Sequence, residues 1–225
     1  MDLLLISSSV VHGYGYLDHP EAEIRRVLEG RRRVLFVPFA LHDREGYTAK
    51  TAERLGRMGF EVTQCREARD VEQAEAIFVG GGNTFRLLKT LYETGLFEAI
   101  RERVRGGVPY MGSSAGTNVA TPTIRTTNDM PIVQPPTFDA FGFVPFQINP
   151  HYLDADPSNT HQGETREERI QQFLEDNATP VVGLREGTML RVENGVTTLL
   201  GDRPARVFQR GAEPVELAPG STITL

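Results

Sequence analysis

The chain has 225 residues, of which 39% are hydrophobic and 24% charged; this is ordinary globular usage, which excludes a disordered polypeptide and leaves room for one sizeable core. A formal net charge of −6 argues against nucleic acid as a partner, because phosphate neutralisation needs clustered cations. The single cysteine, Cys65, excludes an internal disulfide framework and fits a reducing, cytoplasmic setting, while no apolar run approaches the roughly 20 residues of a membrane span and the run 3–6 lacks a signal peptide's basic leader.

In chain order, residues 3–7 read as a strand and 20–28 as a helix, with proline tolerated in its first turn. Residues 33–40 (RVLFVPFA) read as a buried strand and 47–58 as a helix stopped by Gly59. Short strands follow at 60–64 and 76–79, then helices at 84–92 and 96–105 separated at Gly95, then a strand at 108–111. Strands alternating with helices predict right-handed crossovers and a largely parallel sheet flanked by helices, an α/β fold. Residues 121–159, rich in Pro, Thr, Asn and Asp, break the pattern, with one short strand expected at 144–148; their aromatic and aliphatic content favours an ordered, functional loop. A helix at 166–174 precedes strands at 181–184, 188–192, 196–200 and 205–209, spaced as hairpins with Asn194-Gly195 as a turn. Antiparallel strands are therefore expected toward the C-terminus, and no repeat or linker divides the chain, so 1–225 reads as a single domain.

Gly112-Ser113-Ser114-Ala115-Gly116 fits G-x-S-x-G at a strand-to-helix junction. A nucleophile lifted on a sharp turn brings the residues two before and two after it into close contact, so both must be small. That spacing favours Ser114 over its rival Ser113, and it points the Ala115 N–H, at a helix N-terminus, toward a developing oxyanion. The same pattern could instead cradle a phosphate. Upstream, Val79-Gly80-Gly81-Gly82-Asn83-Thr84 leaves backbone N–H groups uncovered, for an oxyanion or another anion, or as a bare tight turn. The final glycine of a dinucleotide fingerprint and the Gly-Lys-Ser/Thr of a P-loop are both missing from it. Of the five histidines, His12, His19 and His42 suit a solvated surface and His161 a polar loop. His151, stiffened by Asn149-Pro150, is the best candidate base on local grounds. No Cys/His cluster has metal-ligand spacing, and no cofactor is called for.

The runs Ser114-Ala-Gly-Thr-Asn118, Pro122-Thr-Ile-Arg-Thr-Thr-Asn-Asp129-Met-Pro131, Gln147-Ile-Asn-Pro-His151 and Gly163-Glu-Thr-Arg166, with Val79-Gly-Gly-Gly-Asn-Thr-Phe85 and Tyr47-Thr-Ala-Lys-Thr51, resemble the peptidase E (α-aspartyl dipeptidase) family over nearly the whole chain. The resemblance implies a fold like that of class I glutamine amidotransferases and a serine dipeptidase for small peptides that begin with aspartate. It implies Ser114 as nucleophile, His151 as base, Gly82 and Ala115 as oxyanion donors and Arg166 as the cation that holds the substrate's aspartyl carboxylate. For the triad acid it offers Asp129 first and Glu186 second; a salt bridge or turn contact is the structural alternative for Glu186. For Arg166 the structural alternative is a surface ion pair with Glu164 or Glu167. A related hydrolase of β-linked aspartyl substrates, like the cyanophycinases, and a non-catalytic anion-binding module remain the alternative functions. The loop 152–162 is slightly longer than the family pattern, a departure that bears on where Arg166 stands.

Overall fold

The computed structural model describes residues 1–156, 158, 160 and 163–224. The elements are β1 (Leu3–Ile6), α1 (Glu21–Val27), β2 (Arg33–Val37), α2 (Arg44–Arg57), β3 (Glu61–Gln64), α3 (Ala68–Glu72), β4 (Ile77–Val79), α4 (Thr84–Glu93), α5 (Leu96–Arg105), β5 (Tyr110–Ser113), α6 (Ala115–Asn118), β6 (Gln147–Pro150), α7 (Arg166–Asp176), β7 (Val181–Leu184), β8 (Met189–Glu193), β9 (Val196–Leu200), β10 (Ala205–Phe208) and β11 (Val215–Leu217).

The main sheet runs β3-β2-β4-β5-β1-β8-β9. Its first five strands pair in parallel, while β8 and β9 are antiparallel. Continuous apolar runs such as Leu3-Leu4-Leu5-Ile6, buried throughout, are what a strand covered on both faces requires. One face packs on α1 and α2 through Leu4, Ile6, Ile24, Phe36 and Leu55. The other packs on α4, α5 and α6 through Leu3, Leu5, Val79, Leu88, Ile100 and Ala115.

The antiparallel strands expected toward the C-terminus are present, but they are divided between two sheets. β7 does not pair with β8. It joins a second sheet, β11-β10-β7-β6, in which it lies parallel to β6 and antiparallel to β10. Hairpin spacing cannot distinguish neighbouring strands from strands that part into different sheets. The Asn194-Gly195 turn does join β8 to β9, with both residues at positive φ, as a type I′ hairpin demands. The two sheets share one core, since Ile148, Val182, Leu184 and Ala205 pack in the same cluster as Leu3 and Val79.

Helix α2 begins three residues before the expected start because Asp43 caps it, accepting from Gly46 N–H. Strand β6 starts three residues and ends two residues later than predicted, and it anchors the irregular segment before it. Thr126 donates to the Ile148 carbonyl, Asn149 donates to that of Thr126, and Asn128 donates to that of Pro150. The Pro/Thr/Asn-rich loop thus satisfies its polar groups along the edge of a strand. Among the described residues, no helix is long and apolar enough to cross a membrane.

Candidate active site

Ser114 stands at φ +52°, ψ −106° between β5 and α6, a backbone conformation that costs on the order of 1–3 kcal/mol and survives only when its surroundings impose it. Here the imposition is visible. A Cβ on Gly112 would lie 2.5 Å from the Gly116 carbonyl oxygen, and one on Gly116 would lie 2.1 Å from that of Val79. The turn is wedged against β4. Gly116→Ala is therefore expected to destabilise the protein by at least about 3 kcal/mol, the upper range for overpacking against backbone, read as a lower urea midpoint; an unchanged midpoint would mean that the turn can move off β4. The rival Ser113 is fully buried and its hydroxyl has no partner among the described residues. Cys65 is equally inert, its thiol pushed up to about 12 by burial and then by Asp70.

His151 Nε2 lies 2.8 Å from Ser114 Oγ, and His151 Nδ1 lies 2.8 Å from Glu186 Oε1. With Glu186 ionised, Nδ1–H donates to the carboxylate and the serine hydroxyl donates to Nε2, leaving the ring able to take the hydroxyl proton. Parallel pairing of β6 and β7 sets Pro150 beside Leu184, so the chains leaving these strands carry His151 and Glu186 side by side. His151 itself turns out at φ +54°. Its N–H donates to Ser7 Oγ at 3.0 Å, and Ser7 donates to the Leu184 carbonyl at 2.7 Å. Ser7 follows β1, next to β5 in the main sheet, so this one hydroxyl latches the two sheets together where the reactive groups meet.

Asp129, the first choice for the acid, stands elsewhere. Its Oδ2 accepts from Thr84 N–H at 2.7 Å, Thr84 Oγ1 at 2.6 Å and Thr127 Oγ1 at 3.1 Å, at the N-terminus of α4 where negative charge is favoured. The partner of the imidazole is Glu186. Sequence alone could not rank the two, because the pairing of β6 with β7 decides which carboxylate arrives.

The triple-glycine loop lies against the serine turn: a Cβ on Gly81 would be 3.1 Å from both the Ser113 oxygen and the Ser114 Cβ. Its three N–H groups have different fates. Gly80 donates to the Val37 carbonyl, and Gly81 donates to the Tyr47 hydroxyl at 2.9 Å. Gly82, at φ +134° and within 2.6 Å of the Ala40 carbonyl if it carried a Cβ, finds no acceptor among the described residues. The N–H of Ala115, first in α6, is likewise without an intrahelical partner. Among the described residues two donors thus remain uncommitted, one on the residue that follows Ser114 and one on Gly82, which lines the same cleft as Ser114. The sequence reading gave neither Tyr47 nor Ser7 a role in the site, although Tyr47 opens one of the runs that carry the family resemblance. The only pointer to Ser7 was its place at the C-terminal end of a parallel strand, where open α/β sheets build their sites.

Ser114, His151, Gly81 and Gly82 share a cleft of about 520 Å³ with Ser8, Val10, Tyr16, Asp43, Tyr47 and Lys50. Arg166 is not on its wall; it lines a separate hollow of about 470 Å³ beside Asp154 and Arg169. Neither expected surface pairing forms. Glu164 meets Arg169 and Glu167 meets Arg206, leaving Arg166 without a salt bridge among the described residues. Burial first, then Arg169, holds its guanidinium below the usual range, opposed by Asp129. Of the other histidines, His19 is half-buried, not solvated, with both ring nitrogens unpartnered among the described residues, and burial lowers its pKa; His161 lies outside the described residues.

Residues 3–200 match the family model Peptidase family S51. The chain is 55% identical to "Peptidase E" of Streptomyces coelicolor, over 100% of this chain and 94% of the relative. It is 50% identical to "Probable alpha-aspartyl dipeptidase" of Drosophila melanogaster, over 99% and 96%. Among solved structures, a peptidase from an acI-B1 Actinobacterium superposes with a TM-score of 0.74 at 20% identity, covering 100% of this chain and 96% of that one, which supports the fold. A serine, histidine and glutamate joined in one relay, carried on this parallel sheet by a chain with such relatives, has one classification: the protein belongs to peptidase family S51.

Proposed function

We propose that this protein is a serine dipeptidase that hydrolyses Asp-Xaa dipeptides through an acyl-enzyme on Ser114. The observation that carries the reading is the unbroken relay from Ser114 through His151 to Glu186, set beside two uncommitted N–H groups. His151 takes the serine proton as Oγ attacks the aspartyl carbonyl. The oxyanion of the tetrahedral intermediate accepts from Gly82 and Ala115, each donor worth on the order of 3 kcal/mol of barrier lowering. Nε2–H then protonates the leaving amine. A water, deprotonated by the same nitrogen, releases aspartate and restores the serine. Glu186 holds the tautomer and stabilises the imidazolium. The side chains of His151 and Glu186 are 37% and 41% exposed, so a small substrate reaches them directly.

Arg166 is the residue proposed to hold the aspartyl side-chain carboxylate. A half-buried guanidinium without a salt bridge among the described residues is suited to an external carboxylate, and its two parallel N–H bonds suit a short acid. Arg166→Met is expected to lower kcat/KM for Asp-Leu by about a hundredfold, chiefly through KM. Assays of Asp-Leu, Glu-Leu and β-aspartyl-leucine side by side test the substrate class. Turnover confined to the β-linked peptide would replace this proposal with a hydrolase of isoaspartyl bonds.

A further inference from the structure

An Asp-Xaa dipeptide carries two carboxylates, and Arg166 accounts for one. The other belongs to the leaving residue. His151 protonates the leaving amine, so the leaving residue must extend from Ser114 on the side where the imidazole stands. The cleft that contains both residues runs toward Ser8, Val10, Tyr16, Asp43 and Lys50. Among the described residues, Lys50 is the one permanently cationic side chain on its wall.

Three observations set Lys50 apart. It lies on α2, which packs on one face of the main sheet, whereas Asp129, the carboxylate whose charge acts on Arg166, is fixed to the start of α4 on the opposite face. Lys50 shares the cleft of Ser114 while Arg166 lines a different hollow, so the two cations stand apart, as the two ends of a dianionic substrate require. Lys50 Nζ has no carboxylate within salt-bridge distance among the described residues, while the other lysine of the chain, Lys89, pairs with Glu93. Finally, Lys50 Nζ sits 4.5 Å from the centroid of the Tyr16 ring, which is itself tethered by a 3.1 Å bond to Thr51. The cation–π contact limits the wandering of an exposed side chain without neutralising it. Asp43, the acid on the same wall, is engaged by the Gly46 N–H at the start of α2.

We infer that Lys50 receives the α-carboxylate of the leaving residue and thereby makes the enzyme favour dipeptides over longer or blocked peptides. Each added residue would carry the terminal carboxylate about 3.5 Å further from the scissile bond, and amidation removes its charge. This inference rests on the aspartyl dipeptidase reading.

The test compares Asp-Leu with Asp-leucinamide in the wild type, Lys50→Met and Lys50→Arg. The wild type is expected to favour the free acid by roughly fivefold in kcat/KM, the scale of a partly exposed ion pair. Lys50→Met should lose that preference through a higher KM for Asp-Leu, with amide turnover unchanged, and Lys50→Arg should keep it. A Lys50→Met enzyme that still favours the acid, or that loses both substrates equally, overturns the assignment while leaving the parent reading intact. A wild type inactive on both substrates overturns the parent reading, and this inference falls with it.

Discussion

Ser114→Ala is expected to yield a folded protein whose turnover of Asp-Leu falls by on the order of 10⁶, to the residual rate that binding and oxyanion donors alone sustain. Alanine keeps the Cβ that the turn already accommodates and removes only Oγ. The packing of Gly112 and Gly116 around the turn stays as it is, so circular dichroism and the urea midpoint should match the wild type. The variant should also lose labelling by a fluorophosphonate, a reaction that needs an activated hydroxyl. Ser113 offers no replacement, being fully enclosed. Wild-type turnover by Ser114→Ala would end the assignment of the nucleophile.

The second large effect separates the two acids. Glu186→Gln keeps the shape of the side chain but removes the charge facing Nδ1, and an amide N–H can favour the wrong tautomer. kcat is expected to fall by about 10³ to 10⁴, the loss seen when a triad acid becomes an amide. Asp129→Asn should leave kcat within about tenfold. Its consequence is local: Thr84 N–H, Thr84 Oγ1 and Thr127 Oγ1 converge on Oδ2, so an amide there weakens the tie between the Pro/Thr/Asn-rich loop and the start of α4. A stability loss of about 1–2 kcal/mol follows, measurable by urea titration. The reverse order of effects on kcat would return the acid's role to Asp129.

The contrast between these carboxylates shows where sequence reasoning reaches and where it stops. The serine turn was legible because its requirement is local: two small residues at fixed offsets around a strained hydroxyl leave a five-residue signature. The parallel half of the main sheet was legible for a similar reason, since apolar runs alternate with capped helices. The base was only partly legible, as one histidine in a stiff context among five. The imidazole's partner was not, because Glu186 is delivered by β7 lying against β6, a pairing between segments more than thirty residues apart. Hairpin spacing pointed β7 toward β8 instead, and only the strand pairing of the fold shows that they part into different sheets. The fate of the glycine N–H groups was invisible for the same reason. A phenol from α2 takes the Gly81 donor, and no local pattern announces a contact from thirty-four residues away.

The two halves of the reactive centre also arrive at different times. During synthesis the serine turn emerges after all of the parallel strands of the main sheet, yet the imidazole and its carboxylate follow many residues later, on the far side of the seam that the Ser7 hydroxyl bridges. A serine lacking its base is chemically quiet. On the proposed roles of Ser114, His151 and Glu186, the growing polypeptide would therefore gain its full hydrolytic capacity only after residue 186 has emerged and docked.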